Sequence, residues 1–126
     1  MNTEAPCENT EAPFFCQNLA DLGDDPEFPE WVGPNDLAKW RWINTPGYWF
    51  VYCVYAPVHN TPPLYIGITN HIHRRLCQHR STKAWWPLAE GVIVSRVPTE
   101  REARDWERNW IRLSKPLFNT VHNCHA

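Results

Sequence analysis

The sequence predicts an α/β fold of the α+β kind: a small antiparallel three-stranded sheet flanked by helices. Three observations predict it. "YWFVYCVYA" (residues 48 to 56) is a continuous apolar, aromatic and β-branched run, as expected of a strand buried on both faces. "LYIGIT" (64 to 69) follows after a loop too short for a helical crossover, so the two runs form an antiparallel hairpin. "GVIVSRV" (91 to 97) is a third such run, with a capped helical pattern on either side of it.

Along the chain, "NTEAP" occurs at residues 2 to 6 and again at 9 to 13. With little but Pro, Glu and polar residues, this stretch is expected to be disordered. Residues 14 to 46 stay Pro-rich but add Phe28, Trp31, Trp40 and Trp42, aromatics that point to an arm packed onto a domain. Within it "NDLAKWRW" reads as a short helix capped by Asn35 or Asp36. The expected division is therefore an acidic, partly disordered arm over residues 1–46 and a folded domain over 47–126. After the hairpin, Thr69 or Asn70 caps "HIHRRLCQHRS", where Ile72, Leu76 and His79 share a face. Thr99 caps the last helix, and Glu102 completes a capping box. The element order is β-β-α-β-α.

No run of 18 apolar residues occurs and the start lacks a signal-peptide pattern, so the expectation is a soluble, cytoplasmic chain without membrane association. An odd count of five Cys argues against a disulfide framework, and places Cys53 and Cys77 in the core. "HNCH" (122 to 125), with Cys7 or Cys16, is a weak Zn²⁺ candidate because it lacks paired C-x-x-C spacing. Eight Trp in 126 residues either fill a small core or offer stacking surfaces.

The net charge of −2 hides an asymmetry. Residues 1 to 36 carry nine acidic residues and no Lys or Arg. From Leu37 onward twelve Lys and Arg oppose five Asp and Glu, a balance of +7. A basic domain of this size suits a polyanion, and an acidic arm suits either restraint of that binding or docking of a protein partner.

Polar groups also stand where core residues are expected. Tyr52 lies mid-run in the first long strand and Tyr65 opens the second. Arg75 adjoins the Ile72/Leu76 face and Asn119 follows the apolar "PLF". In the last helix Ala103, Trp106, Trp110, Ile111 and Leu113 fall on one face, and Glu107 lies inside that stripe. A buried carboxylate without a partner costs several kcal/mol, so Glu107 requires one. Singly, each group has a structural explanation. Together, a carboxylate, an arginine, two phenols and an amide are the parts of phosphodiester hydrolysis: a hard-cation ligand, a charge stabiliser and proton carriers.

In these residues the sequence resembles the GIY-YIG nuclease superfamily. Val51-Tyr52 matches the first Ile/Val-Tyr pair and Tyr65-Ile66-Gly67 the second motif. "RRLCQH" supplies Arg75, Leu76 and His79, "WERNWI" supplies Glu107, and "PLFN" supplies Asn119. The match runs from residue 47 to about 121. One departure is Phe50, where the superfamily usually has Gly; Gly47 comes three residues earlier. Tyr55 competes with Tyr52 for the first tyrosine, but it would leave only a short link to Tyr65.

The resemblance implies a GIY-YIG-type fold and a metal-dependent DNA endonuclease. It implies that Glu107 binds one Mg²⁺ or Mn²⁺, Tyr52 activates water, Tyr65 helps orient it, and Arg75 stabilises the transition state. Asn119 would buttress the site, and His79 would hydrogen-bond near the phosphate or the tyrosines. Duplex, branched and single-stranded DNA all stay open as substrates. The alternative is a nucleic-acid-binding or protein-interaction module that keeps the fold without catalysis.

Overall fold

A computed structural model describes residues 26–56 and 62–119. The "NTEAP" repeat, the centre of the hairpin loop and the "HNCH" candidate with Cys7 or Cys16 lie outside the described residues. The elements are β1 (Glu30–Val32), α1 (Leu37–Ile43), β2 (Trp49–Tyr55), β3 (Tyr65–Thr69), α2 (Ile72–Thr82), a single 3₁₀ turn (Trp86–Leu88), β4 (Gly91–Val97) and α3 (Glu100–Ser114).

The sheet is antiparallel, with strand order β1-β4-β2-β3. It has four strands, not three. The additional strand, β1, pairs Glu30, Trp31 and Val32 with Val94, Ile93 and Val92. Three residues between Pro29 and Gly33-Pro34 are too few to show a period-2 pattern, so only the partner strand reveals it. β2 is central, and Phe50, Val51, Tyr52 and Val54 are buried, as its continuous apolar run requires.

Helices cover both faces. On one, α1 and α2 pack with the sheet around Trp40, Ile43, Phe50, Tyr52, Leu76 and Val94. On the other, Ala103 of α3 meets Val51 and Val97, with Trp49, Ile68 and Trp110 around them. Phe50, where the resemblance expects glycine, fills the first core against Phe28, with ring centroids 5.9 Å apart. Gly47 takes φ +88° in the turn leading into β2, a conformation that glycine adopts without a Cβ penalty.

The caps fit the sequence with one exception. Asp36 accepts from Lys39 N–H in α1, and Thr99 accepts from Glu102 N–H (3.2 Å) in α3. The Glu102 carboxylate accepts in turn from the Thr99 hydroxyl. For α2 the cap is His71, not Thr69 or Asn70: its Nδ1 accepts from Arg74 N–H at 3.2 Å. Thr69 still belongs to β3 and spends its hydroxyl on the His71 N–H.

In α3, Ala103 is fully buried and Glu107, Trp110, Ile111 and Ser114 are half-buried, whereas Trp106 and Leu113 are exposed. The contact stripe is centred between Ala103 and Ser114, so Trp106 and Leu113 lie on its flank. Glu107 sits near the middle of the stripe, on the face turned to the sheet. Cys77 is buried as expected, but it is also disulfide-bonded, a pairing that the odd cysteine count did not anticipate. Cys53 is free and half-buried, and burial pushes its thiol up to about 12. A thiol so raised is no nucleophile at neutral pH.

Candidate active site

Strand pairing brings the two tyrosines together. Tyr52 of β2 faces Gly67 of β3, and Tyr65 lies two residues from Gly67, so both rings project from the same side of the sheet. Their centroids are 6.1 Å apart. Gly67 is what makes room. A Cβ there would lie 2.6 Å from the Tyr52 hydroxyl oxygen and 2.9 Å from the Tyr65 ring. Neither ring can yield, because Tyr52 is fully buried and Tyr65 is packed on the rings of His79 and Trp85 as well.

Helix α2 supplies the next layer. Arg75 and His79 are one turn apart and share a helix face. The Tyr52 hydroxyl and His79 Nε2 are 2.7 Å apart, a buried hydrogen bond. The His79 ring also meets the Tyr65 ring edge-on at 5.0 Å. Burial, followed by the charges of Arg75 and Lys83, lowers the His79 pKa to about 3, so the imidazole is neutral at physiological pH. A hydrogen bond to neutral imidazole can run either way, according to which nitrogen holds the proton.

Charge on the tyrosines comes from both helices. Burial raises the Tyr52 pKa well above the ordinary phenol value. Tyr65 and Glu107 push it further and Arg75 pulls it back. Tyr65 is likewise raised by burial, with Arg75 lowering and Glu107 raising it. Glu107 and Arg75 thus act on the same two hydroxyls, although α3 and α2 pack on opposite faces. Helix α3 packs against β3, the edge strand of the sheet. Tyr55 stands apart: at the far end of β2 it responds to burial, Glu90 and Cys53.

Asn119 has a different task. Its Oδ1 accepts from Ile66 N–H and its Nδ2 donates to Ile66 C=O, both at 2.8 Å. The buried amide thereby completes the free edge of β3 between Tyr65 and Gly67. Two backbone bonds extend the seam, Leu117 N–H to Pro63 C=O (3.0 Å) and Phe118 N–H to Leu64 C=O (2.9 Å). Asn119 thus fastens the strand that carries Tyr65.

The structure therefore gathers Tyr52, Tyr65, Arg75, His79 and Glu107 around one strand edge, which Asn119 fastens. The model for the GIY-YIG catalytic domain matches residues 48–121, more than half of the sequence and every one of these positions. The chain belongs to the GIY-YIG family. No curated protein and no solved structure matches it. GIY-YIG proteins are a nuclease family whose members generally use divalent metals. No helix among the described residues is long and apolar enough to cross a membrane.

One further ring, not expected from the sequence, lines this cluster of the GIY-YIG domain. Trp85 is buried against Tyr65, His79 and Phe118, after the end of α2 in "KAWWPL". The surplus of Trp was the available signal, but a non-periodic Trp-Trp pair does not say which ring faces the site.

The GIY-YIG cluster yields two predictions about stability. Asn119→Ala leaves a buried backbone donor and acceptor of Ile66 unpaired, each worth about 1–3 kcal/mol. A loss of about 2–4 kcal/mol in urea unfolding is expected, with Asn119→Asp intermediate because it keeps an acceptor but no donor. An unchanged midpoint for the alanine variant contradicts the fastening role.

The second concerns pH. Folded His79 titrates near 3, whereas the unfolded residue titrates at about 6.5. Between those values the unfolded chain binds a proton that the folded chain refuses, so stability falls as pH drops. From pH 7 to 5 the expected loss at this site is roughly 2 kcal/mol. Comparing wild type with His79→Asn cancels the other histidines, and equal pH slopes for the two proteins contradict the buried neutral imidazole.

Proposed function

We propose that this chain is a metal-dependent DNA endonuclease in which Glu107, Arg75 and the Tyr52–His79 pair hydrolyse a phosphodiester. The observation that carries this reading is convergence. One carboxylate and one guanidinium act on the same two phenols, one buried and one half-buried, and the buried one is hydrogen-bonded to a neutral imidazole.

The donor set fits the implied metal. Among the described residues no group of three or more His, Cys, Asp or Glu is placed to hold an ion. A single hard carboxylate oxygen suits Mg²⁺ or Mn²⁺, which keep several waters and take further ligands from a phosphate. Glu107 would hold it. When bound, the ion supplies positive charge against the phosphate and makes water more acidic.

The remaining chemistry belongs to the side chains. Because its pKa is raised, Tyr52 is a neutral phenol at physiological pH and accepts a proton only by passing its own onward. His79 Nε2 lies in line to receive it. Water thus gives a proton to the Tyr52 oxygen, and the phenol proton moves to His79. The resulting hydroxide attacks phosphorus, and the P–O bond to the leaving group breaks. His79, whose pKa is low, then gives that proton back through Tyr52 to the leaving oxygen, which restores both side chains. Arg75 offsets the charge growing on the phosphate oxygens. Tyr65 orients the water beside Tyr52.

Metal dependence tests the reading. Mg²⁺ or Mn²⁺ added to metal-free protein is expected to start DNA cleavage, and EDTA to stop it. Cleavage indifferent to EDTA contradicts the role given to Glu107.

A further inference from the structure

Tyr65 begins a column of rings that leads out of the site. Tyr65 and Trp85 stack with centroids 5.4 Å apart and planes 20° from parallel. Trp85 and Phe118 repeat the arrangement at 5.9 Å and 18°. Trp85 is buried in the middle, whereas Phe118 at the outer end is 44% exposed.

Phe118 is not a loose surface residue. Its N–H is bonded to Leu64 C=O, the preceding N–H to Pro63 C=O, and the following side chain doubly to Ile66. The chain thus holds an apolar ring rigidly at the surface, parallel to the column, although burying it would be favourable. Positive charge lies on both sequence flanks of the column: Lys115 precedes Phe118 by three residues and Lys83 precedes Trp85 by two. The Lys83 charge is felt as deep as His79. A fixed, half-exposed aromatic ring on a basic domain is the arrangement that receives a nucleobase on its face. A base inside a duplex has both faces covered by its neighbours and cannot be received without unstacking.

We propose that Phe118 is a stacking platform for an unpaired nucleobase next to the scissile phosphate. On this proposal, which rests on the nuclease reading for the position of that phosphate, the chain takes single-stranded or branched DNA in preference to a continuous duplex.

The test measures binding of the full chain in EDTA, where cleavage is arrested, to oligonucleotides carrying 2-aminopurine. The single strand is expected to bind with quenched fluorescence. Phe118→Ala and Phe118→Leu should both lose the quenching and weaken single-strand binding by roughly tenfold, the effect of one base–ring stack. Phe118→Trp should keep both, and duplex binding should be the same in all four proteins. The leucine variant preserves apolar cover over Trp85, so a loss there is not a folding defect. If leucine binds and quenches like phenylalanine, or if duplex and single strand weaken together, the platform is wrong. Stacking without any metal-dependent cleavage would overturn the nuclease reading alone. Normal cleavage with unaltered binding in Phe118→Ala would overturn the platform alone.

Discussion

Glu107→Gln is expected to lower magnesium-dependent cleavage by at least ~10²-fold while the protein stays folded. The substitution keeps the size and the hydrogen-bonding reach of the side chain but removes its charge. A neutral amide is a poor ligand for a hard divalent cation. It also removes the negative charge that acts on Tyr52 and Tyr65, so both phenols should become easier to deprotonate, not harder. Loss of activity therefore reports the lost metal ligand and not a weakened base. Glu107 is only half-buried, so unfolding is not expected. Circular dichroism and the thermal midpoint check this. Near-normal turnover of a folded variant contradicts the ligand role, and a variant that unfolds would make Glu107 a structural residue.

Tyr52→Phe is the second large effect. It deletes one oxygen atom from a fully buried ring and leaves the packing of β2 unchanged. The His79 Nε2 loses its 2.7 Å partner, and the path from water to imidazole is cut. A general-base step is worth about 10²–10⁴-fold, and a loss in that range is expected in single-turnover kcat. DNA affinity should hardly change, since the role proposed for the hydroxyl is toward the attacking water and not toward the phosphate. Phe at Tyr55 should leave cleavage intact, because Tyr55 lies outside the cluster. Should Tyr55→Phe be the inactive variant and Tyr52→Phe the active one, the relay is misassigned.

Much of this was legible in the chain. A long β-branched run, a short loop and two capped helices define a hairpin and its flanking helices through local patterns alone. Glu107 stood out because a carboxylate within an apolar stripe is locally inconsistent, and the structure keeps it half-buried on the face turned to the sheet. Other features needed the third dimension. β1 is three residues long and exists only through its pairing with β4. The cap of α2 moved to His71 because Thr69 stayed in the strand, a competition that propensity does not resolve. Trp106 and Leu113 looked like core from their periodicity, yet they flank the contact stripe of α3 in the open. The closeness of Gly67 to Tyr52 depends on cross-strand register, which pattern alone does not reveal.

Hydrolysis by this cluster is reached most directly by one measurement. Wild type and Glu107→Gln, expressed and purified side by side, are incubated with single-stranded, duplex and branched DNA in Mg²⁺, with EDTA controls. The account predicts metal-dependent cleavage of at least one substrate by wild type and none above background by the variant, with the two proteins binding DNA alike. DNA binding without cleavage by wild type, in Mg²⁺ and Mn²⁺ and on all three substrates, would contradict it and leave a binding module on a nuclease fold.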